Sequence, residues 1–309
     1  MEPQEKITVS ILCMAYNHED YIRDALEGFL MQEAPFAYEI LINEDASTDG
    51  TAAILKEYVD RYPDRVRVLF QEENQYHKVQ SIYEDILLPL AKGRYIALCE
   101  GDDYWTDPHK LADQVAFLEE HPEVRACVTN TEVLDCRSNT VVRRVNTSVK
   151  AHALSMRGLV QHLPEDGFQT SSLLVRKDSF ALPKELVADT FGDLSRAVYF
   201  AATGGFWYLP QTTGVYRYFS KGSFSERTYG KDRETYHAQL DDLIGFLKRA
   251  ETYCGEEYRE VFEEEIRRQT VFRLILEKQY KTILKEYKPE FRRLDPKSRL
   301  SVRIRSWFT

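Results

Sequence analysis

Glu100-Gly101-Asp102-Asp103 puts three carboxylates within four positions, directly after the apolar run that ends at Cys99. Carboxylates crowded at the end of a buried strand repel one another, which is costly unless a cation neutralises them. Mg2+ or Mn2+ suits such a place, because hard divalent ions take oxygen ligands, keep several waters and join one or two carboxylates to substrate phosphates. An ion held there stabilises the charge that grows on a departing diphosphate. The plain alternative is a solvated acidic turn in which Asp102 or Asp103 caps a helix. Two further polar sites end apolar runs in the same way, at Asn17 and at Asn43-Glu44-Asp45.

The elements that must position these residues follow from periodicity. Strands are expected at Ile7–Met14, Glu39–Ile42, Val66–Phe70, Arg94–Cys99 and Ala126–Thr129. Between them the apolar spacing is helical, over about Glu19–Met31, Asp49–Tyr62, Val79–Leu90 and Pro108–Glu120, with Asp107 as N-cap and Pro108 in the first turn. Strand-helix alternation predicts an α/β fold with a mostly parallel sheet covered on both faces. Ligands of such sheets bind at the carboxyl ends of the strands, where the acidic runs stand. Beyond Asn130, strand pairs are expected in Val133–Val145 and in Phe206–Leu209 with Gly214–Tyr218. A strand is expected at Phe168–Val175 and a helix at Phe191–Ala202. From about Lys231 only amphipathic helices remain, at 236–250, 256–276 and 279–287. The expected organisation is a domain over 1–230, halved near residue 130, and a helical C-terminal region over 231–309.

A chain of 309 residues that is 43% hydrophobic can bury a sizeable core, and its net charge of −9 argues against general nucleic-acid binding. The charge is uneven. From Lys288 to Thr309 seven basic residues face two acids, so the tail carries +5 and the rest −14. The five cysteines show no zinc-type spacing and three lie in apolar runs, as in a reduced, cytosolic protein. Met1–Lys6 has no apolar leader segment, and no apolar stretch approaches the roughly 20 residues of a spanning helix. The expectation is a cytoplasmic protein, soluble or peripheral on the inner face of a membrane.

Three stretches together resemble family 2 glycosyltransferases: Val9-Ser10-Ile11-Leu12-Cys13-Met14-Ala15-Tyr16-Asn17, the run Glu39–Thr51 around Asn43-Glu44-Asp45, and Gly93–Pro108 around Glu100-Gly101-Asp102-Asp103. Their order and spacing match closely over about 120 residues and more loosely to about residue 226. The resemblance implies a GT-A fold, an inverting reaction and a nucleotide-diphosphate sugar as donor, a UDP-sugar foremost, with Mn2+ or Mg2+ as cofactor. It places Asp45 on the base, with helix capping as the alternative, and Tyr16 and Asn17 along the nucleoside, where Tyr16 could equally be core. Asp102 becomes the principal metal ligand, assisted by Glu100 or Asp103. Glu100 stands where the family commonly has Asp.

The resemblance also assigns a general base, which inversion requires because the acceptor hydroxyl is a poor nucleophile. Asp193, in a Gly-Asp pair that opens a helical stretch, fills that role, with Asp189 as the alternative base and a helix-dipole acid as the ordinary reading. Thr170 and Ser171 resemble an acceptor-side segment. Arg217 and Lys221 resemble partners of the donor diphosphate, and Phe219 stands where many relatives carry a His. Tyr104 and Trp105 either stack on an acceptor sugar or anchor packing. The expected acceptor is a saccharide or a lipid-linked glycan. The basic tail, which ends in Trp307-Phe308, suits an anionic membrane surface, a docked terminus or a frayed one.

Two other functions compete with transfer. A sugar-phosphate nucleotidyltransferase would carry a Gly-rich basic loop after the first strand, whereas the chain reads Tyr16-Asn17-His18-Glu19-Asp20 there. A non-catalytic sugar-nucleotide or glycan-binding relative would lack part of the set Asp45, Asp102 and Asp193, and all three are present.

Overall fold

The structure is a computed structural model and describes residues 6–76, 78–187, 191–228 and 233–307. The chain forms two compact units, Met1–Leu182 with Thr203–Arg227, and Pro183–Ala202 with Thr228–Thr309. One unit boundary falls after Arg227, and the internal segment 183–202 groups with the C-terminal helices instead of the sheet. Within that second unit the buried Leu186 marks where the segment packs.

In the first unit the strands are β1 (Val9–Ala15), β2 (Tyr38–Glu44), β3 (Val66–Phe70), β4 (Tyr95–Leu98), β5 (Tyr104–Trp105), β6 (Ala126–Asp135), β7 (Thr140–Arg144), β8 (His152–Ala153), β9 (Leu174–Arg176) and β10 (Phe206–Tyr218). The helices, in chain order, are α1 (Ile22–Leu30), α2 (Thr51–Arg61), α3 (Lys110–Glu120), α4 (Met156–Gln161), α5 (Gly192–Ala202), α6 (Phe224–Thr228), α7 (Arg233–Cys254), α8 (Arg259–Leu276), α9 (Tyr280–Glu286), α10 (Lys288–Arg293) and α11 (Pro296–Arg305). Helix α5 and helices α7 to α11 lie in the second unit.

The sheet runs β3-β2-β1-β4-β9-β6-β10-β5, with β7 on β6 and β8 on β10. Strands β1 to β4 are parallel, as are β6 and β10; β9 is antiparallel to both of its neighbours. The architecture is therefore a mixed, mostly parallel α/β sheet flanked by helices, with a helical C-terminal region. Strands covered on both faces read as unbroken apolar runs, and Val9, Ile11, Leu12 and Cys13 of β1 have no exposed surface.

Several expected elements differ in detail. The two strands expected at 206–209 and 214–218 are one strand, β10, whose register against β6 shifts between Leu209 and Gly214. Pro210 has no N–H to donate to a ladder, so the irregularity falls beside it. The helix expected over 79–90 is a π-type turn, Ile82–Leu87, followed by a 3-10 turn, Leu88–Leu90, which contains Pro89. The strand expected at 168–175 opens as a 3-10 turn, Thr170–Ser172, and pairs only from Leu174. His109, not Asp107, takes the cap position of α3; Asp107 accepts the His109 N–H (2.9 Å) and shapes the turn before the helix.

Lys110 at the start of α3 is fully buried, its Nζ donating to Gln114 Oε1 (2.5 Å) and lying 4.4 Å from the Trp105 ring centroid. Burial pushes its pKa down to about 8 from 10.5. Between these values the unfolded chain binds the extra proton, so this residue makes stability rise with pH there. Lys110→Met should remove that rise: its stability relative to the parent is expected to fall by about 3 kcal/mol between pH 7 and pH 11, read by urea unfolding. A difference that does not change with pH would refute the buried ammonium.

Candidate active site

Strand β1 lies between β2 and β4, with β3 outside β2, so the chain order reverses direction at the β1–β4 step. Loops diverge at such a point and leave a crevice beyond the strand ends. The loop after β1 carries Tyr16 and Asn17, the loop after β2 carries Asp45, and the loop after β4 carries Glu100, Asp102 and Asp103. Three segments far apart in sequence thus end side by side.

The β1 and β2 loops are clipped together by Asn17. Its backbone sits at φ 57°, its N–H donates to Ser47 Oγ (3.0 Å), and its Oδ1 accepts the Thr48 N–H (2.8 Å). Asn tolerates the left-handed region better than most residues, which suits it to this turn. Tyr16 is 45% exposed and so is not core. Asp45 is buried and does not cap α2. Its Oδ1 accepts the Gln75 N–H (2.8 Å) and Asn43 Nδ2 (3.4 Å), while Asp49 holds the start of α2 through Thr51 N (2.9 Å). Among the described residues Asp45 Oδ2 accepts no hydrogen bond.

The acidic turn is held from behind. Asp102 Oδ2 accepts from Ser220 Oγ (2.7 Å), and Asp103 Oδ1 accepts the backbone N–H of Arg217 (2.9 Å). The Arg217 guanidinium donates to the Asp102 carbonyl (2.9 Å), pairs with Asp24 of α1 and lies 4.4 Å from the Tyr104 ring centroid. Arg217, expected on the donor diphosphate, is therefore buried and engaged within the protein. Lys221 is exposed, its N–H donating to the Tyr21 hydroxyl (3.1 Å). Phe219 is buried at φ 61° and donates its N–H to Ser225 Oγ (2.9 Å).

Burial and then the repulsion of Asp102 push the Asp103 carboxyl well above the ordinary carboxylate range, against the Arg217 N–H, the Ser171 hydroxyl and the Arg217 charge. Cys13, within β1, is raised by burial and then by the combined field of Glu100, Asp102 and Asp103. All three acids thus act on the end of β1. Gly101 is required between them, because a Cβ there would meet His18 Nδ1 and Ile22 Cδ1 at 2.8 Å. The His18 ring nitrogen Nδ1 is buried without a hydrogen-bond partner among the described residues, and burial lowers its pKa against the pull of Asp102 and Asp49.

Among the described residues no group of three or more His, Cys, Asp or Glu side chains is disposed to hold a metal ion. The donors still fit a hard cation of the kind that rests on one or two carboxylates and on substrate phosphates. Asp102 keeps Oδ1 without a hydrogen bond among the described residues, Glu100 is half-buried at the same strand end, and the mutual repulsion recorded at Asp103 is relieved by positive charge. Asp103 is 3% exposed and its Oδ1 accepts the Arg217 backbone N–H, so one of its carboxylate oxygens anchors the turn.

Of its two readings, Trp105 takes the packing role in this structure. Its ring is buried, meets Phe29 edge-on at 4.9 Å and donates Nε1–H to the Ser171 carbonyl (2.7 Å). Gly28 of α1 permits this packing, since a Cβ there would lie 2.9 Å from the Trp105 backbone. Thr170 and Ser171 are buried beside it. Trp105→Phe, which leaves that carbonyl without its donor, should cost about 1–3 kcal/mol of stability and leave the acceptor KM unchanged. A raised KM in a fully stable variant would restore the sugar contact.

Gly192 and Asp193 open helix α5, where Asp193 is exposed, and the helix belongs to the second unit. Asp189 lies outside the described residues. Sequence reasoning missed Asp24, Gln75, Ser220 and His18. His18 adjoins the Tyr16-Asn17 pair and was within reach of that motif; the Arg217–Asp24 pair joins residues 193 positions apart and leaves no local signal.

A family model described as Glycosyl transferase family 2 matches residues 10–177. An uncharacterized protein of Mycobacterium tuberculosis is 36% identical over 266 residues, covering 80% of this chain and 72% of its own length. An Escherichia coli protein, the UDP-Glc:alpha-D-GlcNAc-diphosphoundecaprenol beta-1,3-glucosyltransferase WfaP, is 37% identical over 111 residues, 36% of this chain and 41% of the relative. Among solved structures, Staphylococcus aureus TarS 1-349 in complex with UDP-GlcNAc superposes with a TM-score of 0.62 at 17% identity, over 87% of this chain and 74% of TarS. The mannosyltransferase PcManGT of Pyrobaculum calidifontis, in complex with GDP-Man and Mn2+, gives 0.59 at 14% identity, over 92% and 79%. These two likenesses speak for the fold.

Proposed function

As a chain that belongs to glycosyl transferase family 2, this protein has the reaction class of its family, and we propose its finer form: inverting transfer of a sugar from a UDP-sugar to a saccharide or lipid-linked acceptor. The observation that carries the reading is the convergence of Asp45 and Asp102 at the ends of β2 and β4, on either side of β1. The buried Asp45, with one oxygen unengaged among the described residues, suits the imide N–H of a uracil. The acidic turn suits a metal-bound diphosphate. TarS, bound to UDP-GlcNAc, and WfaP, named for UDP-Glc and a diphosphoundecaprenol acceptor, lend support to the donor and acceptor classes.

Glu100 and Asp102 would hold Mn2+ or Mg2+, and that ion, when bound, neutralises the charge developing on the leaving diphosphate. The chain does the rest. Ser220 and the Arg217 backbone fix the acidic turn, so little reorganisation is needed as charge develops. Tyr16, half open to solvent, and the Asn17 clip shape the nucleoside side. Asp193 takes the proton of the acceptor hydroxyl as its oxygen attacks the anomeric carbon opposite the leaving group.

The test is release of nucleoside diphosphate from a panel of UDP-, GDP- and dTDP-sugars, with and without Mn2+. Metal-stimulated release from a UDP-sugar is expected. Silence across the panel with measurable UDP binding would favour a non-catalytic sugar-nucleotide binder; preference for another base would overturn the role of Asp45.

A further inference from the structure

The basic tail folds into α11, capped by Asp295, whose Oδ1 accepts the N–H groups of Lys297 (2.9 Å) and Ser298 (3.1 Å). One side of the helix is fixed within its own unit: Val302 is 2% exposed and joins a cluster with Val271, Tyr280, Ile283 and Phe291. The other side is apolar and open. Leu300 is 60% exposed, Ile304 50% and Trp307, just beyond the helix, 85%. At about 100° per residue these three fall within an arc of about 60°, roughly opposite Val302. Lys297 and Arg303, both exposed, flank the arc on its two sides.

We infer that this face of α11 is a docking surface for an anionic lipid bilayer. An apolar stripe that ends in Trp and is bordered by cations is what shallow insertion at a headgroup boundary requires. Charge selects the surface. The segment from Lys288 carries +5 in a chain of net −9, and although Arg293 is paired with Glu264, that charge favours anionic over neutral lipid. Three side chains are far too few for a second copy of the chain, since a stable interface buries about 800 Å² per partner. Lipid needs no such area, because insertion and charge act together. The helix is held in register by its buried side, so its orientation is set before contact. The inference stands apart from the transfer reading, although a lipid-linked acceptor would be brought to the enzyme by it.

Sedimentation of the full chain with vesicles tests it without any donor or acceptor. Binding is expected to vesicles rich in phosphatidylglycerol, to be weak on phosphatidylcholine alone and to fall with salt. Lys297→Gln and Arg303→Gln should each weaken it about fivefold. The triple change Leu300→Ser/Ile304→Ser/Trp307→Ser should weaken it at least about 100-fold with the thermal transition unchanged, since all three side chains are exposed. No binding by the parent chain, or binding unaffected by the triple change, overturns the inference. So does a concentration-dependent dimer that the triple change abolishes, which would give the stripe to a second copy.

Discussion

Asp102→Asn is expected to abolish Mn2+-supported donor binding, weakening the affinity for a UDP-sugar by at least about 100-fold, as loss of a metal contact worth several kcal/mol would do. The substitution is chosen to spare the fold. Asn still offers an oxygen to Ser220 Oγ, and the backbone carbonyl that holds the Arg217 guanidinium is untouched. It also removes the charge that repels Asp103, so the Asp103 carboxyl moves back toward its ordinary range and stability should hold or rise. Donor affinity and stability therefore move in opposite directions. Calorimetric titration of a UDP-sugar with and without Mn2+, beside a thermal melt, reads both. Equal donor affinity in parent and variant, each in Mn2+, would remove the metal site from the acidic turn.

Asp193→Asn should cut kcat by about 100-fold or more while the donor dissociation constant stays near that of the parent, the usual size of general-base catalysis. The competing role of an acid in the first turn of a helix makes a different forecast. Asp193 stands second in α5 and is exposed, so its interaction with the helix dipole is worth about 0.3–1 kcal/mol and would appear in the melt, with turnover intact. Single-turnover kinetics at saturating donor separate the two. If turnover survives, the base lies elsewhere and Asp189→Asn is the next variant to measure.

The sequence carried much of the catalytic half. Strand β1 and the ends of β2 and β4 are legible because strands buried on both faces are apolar throughout, so the polar residues that end them stand out. The Asn17, Asp45 and Asp102 positions come from that contrast, and the family from their order. What was less legible depends on partners distant in the chain. Trp105 beside an acidic motif reads equally as a sugar platform or a packing anchor, and only the Ser171 carbonyl and Phe29 decide for packing. Asp103 reads only as one more acid of the turn, and its bond to the backbone of Arg217, 114 positions away, leaves no local signal.

Composition, periodicity and three short motifs determined the fold class, the family and the strand ends at which chemistry is expected, because each is a property of neighbouring residues. The direction in which each carboxylate points, the engagement of Arg217 with Asp24 and the grouping of residues 183–202 with the C-terminal helices were decided by tertiary structure. The same holds for the tail, whose alternating basic and apolar residues fit more than one conformation until the Asp295 cap and the burial of Val302 set a helix and leave Leu300, Ile304 and Trp307 outward. The physical reason is common to all of these. A side chain's role depends on what desolvates it and which donors meet it, and in this fold those groups arrive from elements far away in the chain.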